Sequence, residues 1–220
     1  MRCVLIAAGL RVIVAGSIAA IALVAIERPA AAGEIDVSIG SAGTLLPTRS
    51  SVAVLDFNNL SIGSLPSYQF SGGTLTGMGA IEDTSLMEIA AEPAGDTSNY
   101  LTVAGLSPVG GVQLTFDNPE NYFGLYWGSL DTYNSISFYN GQQTVASYSG
   151  GDIANLTGLI ANGDQHSSSS NRYVNFNFGS ASYDIVVLST TSFGFELDNI
   201  AFPDPPSPTL NAASAVPEPA

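Results

Sequence analysis

From Ser51 to Phe202 the chain is a succession of short runs rich in β-branched and aromatic residues, most of them closed by Gly, Asn, Asp, Ser or Pro. "SVAVLDF" (51–57), "SYQF" (67–70), "YLTVAG" (100–105) and "GVQLTF" (111–116) are followed by "YFGLYWG" (122–128), "NSISFYNG" (134–141) and "TVASYSG" (144–150). "RYVNFNFG" (172–179), "YDIVVLS" (183–189) and "SFGFELDNIAF" (192–202) complete the series. Runs of this length and chemistry between turn formers are strands. No convincing amphipathic helix separates them, so the crossovers of a parallel sheet are missing. About ten short strands without crossover helices predict an all-β fold, an antiparallel β-sandwich of jelly-roll kind. A β-helix would need a fixed short repeat, and none is visible.

Alternation sharpens this expectation. In "YVNFNF" the residues Val174, Phe176 and Phe178 share one face, and Tyr173, Asn175 and Asn177 the other, the period of a half-buried strand. In "YFGLYWG" the face of Phe123, Leu125 and Trp127 reads as core, opposite Tyr122, Gly124 and Tyr126. "DTSLMEIAAEP" (83–93) predicts a strand or one short helix ended by Pro93, and "GDIANLTGLIANGD" (151–164) a helical turn. Two stretches predict disorder: the polar loop "GDQHSSSSN" (163–171) and everything after Phe202, where half of the chain's 12 prolines fall and little is available to bury.

The N-terminus carries an address. Arg2 and Arg11 precede the uncharged run Val12 to Ile26, which Glu27-Arg28-Pro29 and Ala30-Ala31-Ala32 follow. That is the order of a secretory signal peptide, with small residues before a cut between Ala32 and Gly33. The run is shorter than the ~20 residues of a spanning helix. Cys3 has no apolar stretch before it and is no lipoprotein cysteine. The expected organisation is a signal peptide over 1–32, a lead-in over 33–50, a β-sandwich domain over 51–202 and a Pro-rich linker over 203–220.

Charge excludes whole classes of partner. The chain has 19 acidic and 5 basic residues, a formal net charge of −14, and no lysine. Cleavage after Ala32 would leave Arg49 and Arg172 as the only basic side chains and remove the single cysteine. Such a surface repels nucleic acid, so no nucleic-acid partner is expected. Thiol catalysis and thiolate metal sites are excluded from the mature chain, which is long enough to build a core without disulfides.

Reactive groups do not converge. His166 is the only histidine and lies in the serine-rich loop, which leaves a Ser-His-Asp triad without a base and zinc without its usual ligands. Carboxylate pairs for glycoside hydrolysis are formally available, but their scatter through turns reads as solvated surface. No enzyme activity, catalytic residue or cofactor is expected.

Calcium needs only oxygen. Glu196 and Asp198 lie two apart on the last strand, and Asp56 ends an early strand that in a jelly roll would run beside it, so a structural calcium near Asp198 is the one cation the sequence suggests. Aromatic faces also stack on sugars. Tyr122, Phe123, Tyr126, Trp127, Tyr133, Phe138 and Tyr139 crowd one stretch, although Trp127 before Gly128 reads foremost as a packing anchor. Asn59 and Asn155 head N-glycosylation patterns, which the expected function does not use.

The terminal stretch Val216-Pro217-Glu218-Pro219 resembles the proline-glutamate-proline signature of PEP-CTERM proteins, which bacteria sort through exosortase. "YFGLYWGSLDTYNSISFYNG", "YVNFNF" and "FELDNIAF" are similar to a recurrent β-sandwich domain among those surface proteins. Together the similarities cover most of residues 51–220. The resemblance implies a secreted protein at the bacterial cell surface, with the exosortase machinery as a partner and a non-catalytic structural or adhesive role in the extracellular matrix or biofilm. The alternative it leaves open is a carbohydrate-binding module for exopolysaccharide. Members of the family continue past the signature into an apolar span and a basic end, held inside by the positive-inside rule. The expectation is that the signal is cut short at Ala220.

Overall fold

The structure, a computed structural model, describes residues 35–105 and 107–204. The strands are β1 (Asp36–Ile39), β2 (Val52–Leu55), β3 (Gly63–Phe70), β4 (Gly73–Glu82), β5 (Tyr100–Val103), β6 (Gly110–Glu120), β7 (Tyr122–Trp127), β8 (Asn134–Asn140), β9 (Gln143–Ser149), β10 (Arg172–Asn177), β11 (Tyr183–Thr190) and β12 (Glu196–Pro203). They form one sheet in the order β1-β10-β7-β12-β5-β4-β6-β11-β8-β9, with β2 on β12 and β3 on β4. All of these pairings are antiparallel. The all-β antiparallel expectation holds. β1 comes from the lead-in and pairs with β10, a strand the sequence did not announce.

The sheet curls until its halves face each other. One layer is β1, β10, β7, β12 and β5; the other is β6, β11, β8 and β9. The β3–β4 hairpin turns the corner: β4 pairs with β6 through Gly73–Gly77 and with β5 through Gly79–Glu82. At the bend Gly77 has φ +127°, and a Cβ there would stand 2.5 Å from the Gly111 carbonyl oxygen, so only glycine fits. Opposite it the register of β3 shifts between Leu65 and Ser67. Pro66 occupies that bulge on an edge strand, where its missing N–H costs no ladder bond.

Aromatic rings fill the space between the layers. Phe138 of β8 meets Phe123 of β7 at 5.6 Å, Phe176 of β10 at 5.1 Å and Tyr183 of β11 at 5.2 Å between centroids. Phe116 of β6 meets Phe202 of β12 at 5.2 Å. The faces read from alternation are the faces observed: Phe123, Leu125, Trp127, Val174, Phe176 and Phe178 all lie in this core.

The other face of β7, β10 and β12 is buried too. Tyr122, Tyr126, Tyr173 and Ala201 form a second cluster, with Leu45 and Val52 against it. Gly124 makes the room, because a Cβ there would lie 2.7 Å from both the Tyr122 and Tyr173 hydroxyls. In β12 the register shifts between Asp198 and Ala201. Asn199 takes φ 51° in this bulge, and its carbonyl accepts from the Tyr173 hydroxyl at 2.9 Å. Asn is among the few residues that tolerate such a φ.

Three local expectations change. Residues 83–93 form neither a strand nor a helix but a turn-rich loop closed by the bridge Leu86↔Ala90. Side chains take its backbone donors instead: Glu92 N–H goes to Ser85 Oγ and Ala91 N–H to Glu196. The helical turn expected in 151–164 is a two-turn helix, α1 (Gly150–Thr157), opened by a Ser149–Asp152 capping box and closed by Gly158 in the left-handed region. The 163–171 loop is built rather than disordered. Asp164 Oδ1 accepts from the N–H groups of His166 and Ser167, and Ser170 and Asn171 are buried.

Candidate functional site

The loops 128–133, 158–171 and 191–195 gather at the end of the sandwich where β12 begins. The long 83–99 loop crosses the outer face of β7 and β12 to reach them. Its Ala94 carbonyl accepts from the Tyr126 hydroxyl at 2.6 Å, and its Thr84 carbonyl from the Tyr100 hydroxyl at 2.9 Å.

Asn171 ties these loops together. Its Oδ1 accepts from Ser129 N–H at 2.8 Å and Ala94 N–H at 3.2 Å. Its Nδ2 donates to the carbonyls of Asp164 (2.7 Å) and Ser167 (3.0 Å). Both N–H donors and both acceptor lone pairs of this buried carboxamide are thereby used on backbone from three segments of the chain.

Between the loops opens a cleft of about 270 Å³, with Asp131, Tyr133, Asn162, Gln165, Phe193 and Glu196 among its walls. Glu196 is fully buried at the first position of β12. Its Oε1 accepts from Ala91 N–H at 3.1 Å and its Oε2 from Ser129 Oγ at 2.9 Å. Burial pushes its carboxyl up to about 7, against the pull of those two donors and with a smaller push from Asp131. Asp131 accepts from the Tyr133 hydroxyl at 2.6 Å. Burial raises its carboxyl as well, and the Tyr133 bond opposes the rise. A Cβ on Gly163 would sit 2.7 Å from Asp131 Oδ1, so glycine lets that loop close on the carboxylate.

A neighbouring cleft of about 240 Å³ is walled by Asp96, Thr97, Gln165 and His166, and shares Ala91 and Gln165 with the first. Asp96, on the underside of the 83–99 loop, and Asp198 of β12 meet at the Ser98 hydroxyl. Burial first, and then Asp96, raise the Asp198 carboxyl to about 9.

The residues singled out in the sequence are placed as follows. Glu196 and Asp198 share the outer face of β12, as their spacing implied. β2 runs beside β12, but Asp56 beyond its end makes a local turn, accepting from Asn58 N–H at 3.3 Å. The groups against Asp198 are Asp96 and Ser98 instead. Trp127 is buried and stacked on Phe195 at 4.8 Å, which removes it as a sugar platform and makes it the packing anchor its Gly128 neighbour suggested. His166 lines the second cleft. Ala32, Gly33, Val216, Pro217, Glu218 and Pro219 lie outside the described residues.

Asp96, Ser129, Asp131 and Asn171 went unremarked in the sequence. "PAGDTS" (93–98) reads as a turn, and the Asp96–Ser98 pair is an Asx turn, but nothing local aims it at residue 198. Among the described residues no helix is long and apolar enough to cross a membrane.

These features define an antiparallel β-sandwich with an acidic cleft at its loop end. No protein-family model matches the chain, and the search of curated proteins finds no match either.

Proposed function

We propose that this chain is the exported domain of an exosortase-sorted bacterial surface protein, with a non-catalytic structural or adhesive role in the extracellular matrix. The observation that carries the reading is the state of Glu196. Both its oxygens are held by donors of its own fold, so the best-placed carboxyl of the cleft pins loops to β12 and is not poised toward a substrate. A rigid acidic surface of this kind acts by display. The signal-like N-terminus and the Val216-Pro217-Glu218-Pro219 stretch supply the sorting part of the reading. Deleting residues 216–219 from the gene in its source bacterium should shift the protein from the cell surface to the medium or the membrane pool. Unchanged surface display and matrix yield would oppose the proposal.

A second reading is favoured by one feature of the cleft. Tyr133 and Phe193 are half-exposed at its wall beside Asn162, Gln165 and Asp131, an aromatic and amide lining suited to a sugar ring. Exopolysaccharide pull-down with Tyr133→Ala and Phe193→Ala tests it. Loss of binding with unchanged melting makes the domain a glycan-binding module, whereas equal retention by both variants and the parent opposes it.

A further inference from the structure

Asp96 of the 83–99 loop and Asp198 of β12 are buried together with no cationic side chain against them among the described residues. Asp198 is fully buried and Asp96 is 4% exposed, and both carboxyl groups lie within hydrogen-bonding reach of the Ser98 hydroxyl. Nearby donors serve only one oxygen of each. Asp96 Oδ1 accepts from the N–H (3.0 Å) and hydroxyl (2.5 Å) of Ser98, and Asp198 Oδ2 from the same hydroxyl (3.3 Å) and from Asn199 Nδ2 (3.1 Å). Ser98 has one hydroxyl proton, so it cannot serve both carboxylates at once. Asp96 Oδ2 and Asp198 Oδ1 are buried with no partner at all.

Two adjacent buried carboxylates are stable only with a shared proton or with a positive charge against them. Among the described residues the cationic side chains are Arg49 and Arg172. Arg49 lies over the Tyr122 ring at 4.7 Å, and Arg172 donates to the carbonyls of Ser168 and Gly40. Among the described residues, then, no cationic side chain is placed against the pair.

We propose that Asp96 and Asp198 bind a calcium ion through their unpartnered oxygens, with Ser98 Oγ as a neutral ligand and water completing the shell. No group of three or more His, Cys, Asp or Glu side chains suited to a metal occurs among the described residues. The ligand set is thus two carboxylates and neutral oxygens, hard ligands that suit calcium rather than zinc. Calcium accepts an irregular shell of about 6–8 oxygens, whereas magnesium requires a near-ideal octahedron. Asp96 also lines the cleft of about 240 Å³, which provides the entry path and room for the waters. The ion fastens the 83–99 loop to β12, and with it the Ala91 and Ala94 contacts that shape both clefts.

The test uses the full chain stripped with EDTA and melted at near-neutral pH over a calcium chloride series. Two charged ligands set a weak site, Kd about 0.1–1 mM. About 10 mM calcium should then raise Tm by roughly 3–10 °C, with one ion bound per chain by calorimetry and a smaller response to magnesium. Asp198→Asn should abolish the response, and so should Asp96→Asn, whose carbonyl can still accept from Ser98. A parent Tm indifferent to calcium would overturn the proposal and leave the pair sharing a proton. Calcium binding undiminished in both variants would overturn it equally.

Discussion

The two faces of β7, β10 and β12 are buried to the same degree by different means. On the inner face Phe123, Leu125, Trp127, Val174, Phe176, Leu197 and Phe202 interlock with the opposite layer. On the outer face Tyr122, Tyr126, Tyr173, Glu196 and Asp198 are covered by loops, and most of their polar atoms find a specific partner. The inner face gains from removing apolar area from water, which is non-directional and tolerates any well-filled arrangement. The outer face gains only where a donor meets an acceptor, since an unpaired buried polar group costs about 1–3 kcal/mol. Its partners come from far along the chain: Ala91 to Glu196, Ser129 to Glu196, Ala94 to Asn171.

Breaking the inner face should cost most. Phe138 touches Phe123, Phe176, Phe178 and Tyr183, and Phe138→Ala should destabilise by about 4 kcal/mol through cavity formation, read from a urea midpoint shift. On the polar side Asn171→Ala should come close, about 3 kcal/mol. It leaves the buried Ser129 N–H without its acceptor and frees two carbonyls. The same denaturation series checks it, and amide exchange at Ser129 and Ala94 should accelerate. If Asn171→Ala proved neutral, the loops would be held by packing and the contrast between the faces would collapse.

The pH dependence separates the faces next. The Glu196 carboxyl titrates at about 7 in the fold, above its ordinary 4.5. The folded state thus holds this proton more tightly than the unfolded one. The associated stability is fully present below about 4.5 and is lost as pH rises through about 7, a change of about 3 kcal/mol. Glu196→Gln should flatten that part of the profile, measured as Tm against pH. Phe138→Ala should lower the curve without changing its shape. The smallest effect belongs to Tyr173→Phe, which deletes only the hydroxyl bonded to the Asn199 carbonyl at the bulge. It should cost about 1 kcal/mol, and a larger loss would show that the bulge itself depends on that bond.

The period-two pattern of "YVNFNF" and "YFGLYWG" divided the residues of β10 and β7 between the two faces correctly but implied a half-buried strand, whereas Tyr173 and Asn175 are buried under the covering loops as well. Turn residues closed most strands where they end. Local signals also marked α1, although not its full length. Residues 83–93 defeated the same reasoning. Their apolar residues suggested an element, while their backbone donors are taken by Ser85 and by Glu196, a partner 105 residues away. The serine-rich loop looked unstructured because its polarity was visible and Asn171, which organises it, was one Asn among many.

By itself, then, the sequence determined an antiparallel all-β chain, its inner core and its acidic charge, because burial of alternating side chains and turn formation are read over a few neighbouring residues. Only the tertiary structure decided that the 83–99 loop crosses the outer face and that Asp96 rather than Asp56 lies against Asp198. Those outcomes depend on the curl of the sheet and on hydrogen bonds between distant segments, whose directions no local pattern encodes.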